Sequence, residues 1–311
     1  MSHPSAPQLC PTRRPLAALA SLIAVAALGT PARAQVVNPA DKQRPPSLDQ
    51  ELQEAGRLRS WEMPATVVRG EPGQVLREED LIGPYKQPRW TATRLFPTTR
   101  VYVRPPGQFG AEYWTRVKTP RDGPSTVETQ YEVEVGLPGR LQLDLYLVHE
   151  KTGSEGEIDV SEQKYEMRYA LADWGKIWGN PTLYFEWVER SESPDGLEAK
   201  LLLGGGIAEG WHWGSNLVYE HEVSGERESE YSITGGVSHT LTDEKLALGG
   251  EIKAGATDTK EDRGDYTNFF EIGPSLQYRP VPAMHIDVAP LIGIGDDSRR
   301  YDIFIVLGWE F

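Results

Sequence analysis

Between about Gly110 and Phe311, apolar and polar residues alternate at every second position, in runs separated by Gly, Pro, Asp and Ser. A period of two sends successive side chains to opposite faces of a β-strand. In the second run Val127, Thr129, Tyr131, Val133 and Val135 share one face, and Glu128, Gln130, Glu132 and Glu134 share the other. The split recurs in Leu141, Leu143, Leu145 and Leu147 against Gln142, Asp144 and Tyr146, and in Tyr165, Met167, Tyr169 and Leu171 against Lys164, Glu166 and Arg168. From the first run at 111–118 to the last, which carries Ile303, Ile305, Leu307, Trp309 and Phe311 on one face, about 12 strands are predicted.

A soluble antiparallel sandwich also alternates, so the connections and the aromatic residues decide between fold classes. Connections after the odd-numbered strands are charged, as at 150–159 and 258–265. The others are mostly tight, such as Leu137-Pro138-Gly139 and Thr242-Asp243-Glu244, with 172–180 the long exception. Threading the strands up and down puts Trp211, Trp213, Tyr278, Trp309 and Phe311 on the apolar face at the tight-turn end, with Trp174 and Trp178 in a turn beside them. Tyr165, Tyr219, Tyr231, Phe270 and Tyr301 fall near the opposite rim. Polar loops at one end, short turns at the other and two aromatic belts predict an all-β fold, a transmembrane antiparallel up-and-down β-barrel with both termini on the periplasmic side. Leu143, Ile252 and Ile305 are expected on its outer wall, and Gln142, Glu251 and Val306 inside. Pro274 and Pro290, in mid-strand on the outer face, predict bulges or altered strand limits.

Ahead of the barrel, residues 1–34 have the form of a secretory signal: Arg13 and Arg14, the apolar run 16–29, then Ala32-Arg33-Ala34. The apolar run is shorter than the roughly 20 residues a membrane helix requires. Residues 35–107 are rich in proline and charge, with one short helix predicted at 48–61, and are read as a periplasmic arm; 108–311 form the barrel domain. The arm is expected at the periplasmic mouth or within the lumen, with its basic pieces at 86–94 and 100–104 facing acidic residues.

Composition alone, with a mean hydropathy of −0.48, favours a soluble exported protein; the periodicity overrides it. Cleavage after Ala34 would remove Arg13, Arg14 and Arg33, taking the formal charge from −14 to −17, which argues against nucleic acid as a partner. Cys10, the single cysteine, precedes the apolar run and supplies neither a lipid anchor nor a disulfide.

The face opposite the apolar one carries the candidate site. Its acids are Glu112, Glu128, Glu132, Glu134, Asp144, Glu166, Glu186, Glu198, Glu251, Glu271 and Asp287; its bases are Arg116, Lys118, Lys164, Arg168, Lys200 and Lys253. A water-filled lumen lined this way favours cations. The same residues, paired across strands, would instead fill a non-conducting structural or adhesion barrel. Candidate catalytic couples are His212 with Ser215 and Asn216, His221 with Ser224, and His239 with Ser238. His212 and Ser215 fall on opposite faces, so no catalytic residue is assigned and no enzyme is expected. The acidic stretches 258–265 and Asp296-Asp297 lack the ligand spacing of a calcium loop, so no metal or other cofactor is expected.

The final segment, from Tyr301 through Gly308-Trp309-Glu310-Phe311, resembles the C-terminal strand signal of outer-membrane barrels, which implies recognition by the barrel-assembly machinery. The stretch Gly179-Asn180-Pro181-Thr182-Leu183-Tyr184-Phe185-Glu186-Trp187, with Leu201-Leu202-Leu203-Gly204-Gly205, is loosely similar to transporter-like proteins named for the MetA pathway of phenol degradation. That resemblance carries no ligand-binding residue. Together these readings lead to an outer-membrane location, lipid and lipopolysaccharide as surroundings, and a narrow channel or uptake protein for small polar solutes whose identity the sequence does not name.

Overall fold

The computed structural model describes residues 77–311 apart from Arg94, Glu155 and Glu244. The expected signal at 1–34 and helix at 48–61 lie outside the described residues. Two short strands, β1 (Leu81–Ile82) and β2 (Gln87–Pro88), and a 3-10 turn at Arg89–Ala92 precede the barrel. The barrel strands are β3 (Phe109–Thr119), β4 (Thr126–Leu137), β5 (Leu141–Thr152), β6 (Asp159–Ala170), β7 (Thr182–Arg190), β8 (Gly196–Ala208), β9 (Trp211–Glu222), β10 (Ser229–Thr242), β11 (Leu246–Asp258), β12 (Thr267–Val281), β13 (Met284–Ile294) and β14 (Tyr301–Glu310). Each pairs antiparallel with its sequence neighbours. The last closes on the first, from Tyr301 opposite Thr119 to Glu310 opposite Gly110, so the sheet has no edge.

Alternation sets the register. Leu143, Ile252 and Ile305 are 38%, 37% and 43% exposed on the outer face, whereas Gln142, Glu251 and Val306, one residue away, are 0%, 1% and 0%. A slip of one position would exchange the two sets. Longer connections gather at one end of the barrel, the loop end; tight ones, with the β6–β7 connection as the exception, gather at the turn end. The β8–β9 turn is among the tightest, and Gly210 makes it with φ of +68°.

Pro274 and Pro290 produce no bulge. They stand opposite each other on β12 and β13, and the register on either side is unchanged, with Ile272 paired to Ile292 and Leu276 to Val288. Both missing N–H groups fall in this one seam, so the loss of ladder bonds is confined to it. Gly273 makes the close approach possible, because a Cβ there would run into the Pro290 carbonyl.

On the outer face Trp211, Tyr278 and Trp309 lie near the turn-end termini of their strands, and Trp178 packs against Trp213 with ring centroids 5.7 Å apart. Near the loop end Tyr231 meets Tyr219 at 5.1 Å and Tyr266 at 6.4 Å. Two assignments change. Tyr165 sits at the centre of β6, between Leu145 and Trp187, and Trp174 turns away from the belt to pack on Trp90 and Tyr102.

Residues 77–108 form a re-entrant plug. At the turn end the Glu78 N–H donates to Asp243 Oδ1 (3.0 Å), the Tyr85 hydroxyl to the Leu137 carbonyl (3.2 Å) and the Trp174 N–H to the Tyr85 carbonyl (3.0 Å). The chain then runs inward to mid-strand depth at Thr98–Arg100 and returns, where Gly107 N–H donates to the Gly136 carbonyl (2.9 Å). Trp90, Leu95, Phe96, Val101, Tyr102 and Val103 form the apolar core of the plug and are all buried. The wall admits them through a row of glycines. Gly204, Gly214 and Gly236 lie side by side on β8, β9 and β10; a Cβ at Gly204 or Gly236 would collide with Val101 or Phe96, and one at Gly214 would crowd the Thr99 and Val101 methyls at 3.0 Å.

Candidate functional site in the lumen

Every expected lumen residue projects to the inner face, and the structure sorts them into three groups. The first holds the plug. Arg100 sits among Glu112, Glu132 and Glu134, at 3.8 Å from Glu112 Oε2 and 3.0 Å from Glu134 Oε1, with Glu132 in direct ion pairing. Arg104 pairs with Glu134, and its backbone N–H donates to Gln142 Oε1 (2.7 Å). The Trp114 indole donates to Glu132 (2.9 Å) and Glu112 (3.0 Å), fixing the two acids from the wall side. Burial would lower the pKa of either guanidinium; the surrounding carboxylates reverse this and hold both arginines above the ordinary value. On the opposite wall Glu251 accepts from the Thr98 N–H (2.8 Å) and hydroxyl (2.5 Å).

The second group is internal to the wall. Arg168 bridges Asp144 (2.8 Å) and Glu166, and the Tyr146 hydroxyl donates to Glu166. Asp287 accepts from Gln277 (2.9 Å) and lies 2.5 Å from His285 Nδ1. Glu271 faces Arg299 of the last loop at 3.9 Å.

The third group lines a vestibule reached from the loop end. Two cavities of about 280 Å³ and about 200 Å³ share Arg116, Glu128, Lys164, Glu186, Glu198, Glu220 and Lys253, and the deeper one ends on Pro97, Thr98 and Arg100 of the plug. Acids and bases alternate around it: Lys118 pairs with Glu128 (2.5 Å), Lys164 with Glu162 (3.2 Å), Lys200 with Glu198 (2.9 Å) and Lys253 with Glu230 (3.2 Å). Lys200 also lies over the Tyr184 ring at 4.2 Å, and Arg116 over Phe304 at 4.8 Å. Such a wall presents donors, acceptors and aromatic faces together, with most of its charge locally compensated.

Sequence reasoning missed Trp114, Phe304, Glu162 and Glu230 as lining residues, and the glycine row altogether. The signal was present: three inward positions on consecutive strands carry no side chain. The catalytic couples do not assemble. Ser215 faces outward and donates to the Thr234 carbonyl, His221 meets Ser229 at 2.9 Å, and His239 stacks on Trp211. In the 258–265 loop, Asp258 is taken up by Arg263 and by the Gly264 N–H (3.1 Å).

No protein-family model and no curated protein matches the chain. The similarity to MetA-pathway transporters therefore has no support at the family level, and the coarser class stands: a closed antiparallel β-barrel of twelve strands. Among solved structures, an outer membrane channel from Pseudomonas putida F1 aligns with a TM-score of 0.48 and 9% identity, over 68% of this chain and 98% of its own. The NanC porin aligns at 0.47 and 11%, over 65% and 98%. The KdgM porin, solved in complex with disordered oligogalacturonate, aligns at 0.47 and 11%, over 65% and 99%.

Proposed function

We propose that this protein is an outer-membrane channel that takes small polar solutes into the loop-end vestibule, with the 77–108 plug as its closed turn-end gate. The outer wall supports the membrane setting, since a closed barrel with an apolar exterior and a charged interior pairs its backbone strand to strand without water, the Pro274–Pro290 seam excepted. The observation that carries the channel reading is the vestibule itself, a charged cavity that continues from the loop end to the plug. Cavities of this size suit single small molecules rather than polymers. Paired charges make neutral or zwitterionic polar solutes better guests than simple anions.

Planar-bilayer recording tests this. The full chain should give small, infrequent openings, and a variant lacking residues 77–98 should conduct continuously. Absence of current from both proteins over a wide voltage range would defeat the transport reading.

A further inference from the structure

Where the plug enters the barrel, its Glu78 and Glu79 meet His212 of β9. The imidazole is fully buried on the inner face. Its Nε2 lies 2.9 Å from Glu79 Oε1 and 3.9 Å from Glu78 Oε1, and the three donor atoms lie within 4.8 Å of one another. The surroundings orient all three. Thr240 Oγ1 donates to the other Glu78 oxygen (2.6 Å), which leaves Oε1 toward the histidine. The Trp90 ring packs on the imidazole with centroids 4.4 Å apart. His212 Nδ1 has no hydrogen-bond partner among the described residues, so Nε2, the nitrogen turned toward the two carboxylates, carries the ring's polar contacts. Glu79 is 44% exposed, which gives solvent access and room for water ligands.

We propose that Glu78, Glu79 and His212 bind a divalent transition-metal ion that fastens the plug to the wall. One imidazole and two carboxylates suit zinc or its first-row neighbours, while calcium and magnesium take all-oxygen sets. Donors about 2.0–2.2 Å from a tetrahedral ion stand about 3.3–3.6 Å apart, so Glu79 Oε1 opens slightly from its 2.9 Å to Nε2 and Glu78 Oε1 closes from its 3.9 Å. The metal takes the place of the proton between Nε2 and Glu79; a neutral imidazole keeps that proton by shifting it to Nδ1, and an imidazolium, which already carries one there, releases it to solvent. Two ligands come from the plug and one from β9, so the ion would tie the segment down whether or not the lumen conducts.

Cobalt(II) is the direct probe, titrated into the full chain folded in detergent and carrying no affinity tag. The expected result is visible d–d absorption that saturates at one equivalent, is removed by zinc, and is accompanied by a zinc-dependent rise in unfolding temperature and protection of 77–108 from protease. Glu79→Gln, at a partly exposed position, should fold normally by heat-modifiability and lose all three responses, with metal affinity down by at least about tenfold. His212→Gln should behave the same way. Absence of saturable absorption in the parent chain, or unchanged affinity in folded Glu79→Gln, overturns the proposal.

Discussion

Asn216 clasps Arg100 on both sides of its backbone: Oδ1 accepts from the Arg100 N–H at 2.9 Å, and Nδ2 donates to the Arg100 carbonyl at 2.6 Å. A neighbouring strand would make the same two bonds. Here one wall side chain supplies them, at the depth where the plug turns back. Asn216→Ala leaves both backbone groups buried and unpaired, so a loss of about 1–3 kcal/mol is expected. Denaturant unfolding in lipid vesicles measures it, and opening frequency in bilayers should rise in parallel.

The arginine itself carries a larger load. Glu112, Glu132 and Glu134 are buried, and Arg100 is the charge that gathers them. Arg100→Ala should cost about 3–5 kcal/mol, since it strands buried carboxylates. Glu132→Gln added to that variant should restore part of the loss. A double-mutant cycle on unfolding free energies checks the pair, and additivity would refute the coupling.

The glycine row is testable by size alone. A Cβ at Gly236 would come 2.5 Å from the Phe96 ring, and nothing in the barrel ladder requires a glycine there. Gly236→Val should therefore destabilise by about 1–3 kcal/mol through overpacking. Phe96→Ala should rescue it in the double variant. The readouts are unfolding in vesicles and current, which should rise wherever the plug is displaced.

The wall register predicts a contrast between outer and vestibule positions. Ile252→Arg and Ile305→Arg, at the centres of β11 and β14, place a charge at mid-bilayer and should each cost about 2–4 kcal/mol, whereas Ser232→Arg, at the vestibule, should cost far less. Gln142 and Glu251 are poor inner controls, although alternation alone makes them equivalent to Ser232, because both bond the plug. Equal losses at Ile252 and Ser232 would sink the register.

Every barrel strand lies within 109–310. Deleting residues 36–98 should accordingly leave a heat-modifiable barrel of lower stability and larger conductance. Loss of folding would show that the plug is needed for closure.

What the sequence determined by itself is the wall. Strand alternation is local, a period of two repeated through Val127, Leu143 and Ile305, so the faces, the approximate strand number and the alternation of loops and turns were legible without coordinates. The proline pair marked a weak seam but not its form: whether Pro274 and Pro290 force bulges depends on their standing opposite each other across β12 and β13, a relation between strands. The lumen was legible only as a list of inward charges. Their partners were not, because pairing Arg100 with Glu132, Thr98 with Glu251 or His212 with Glu79 joins residues 32, 153 and 133 positions apart. Only closure of the barrel around the re-entrant segment brings such groups within hydrogen-bonding distance. The tertiary structure therefore decided which charges hold the plug, which line the vestibule, and why three neighbouring strands carry glycine on their inner face.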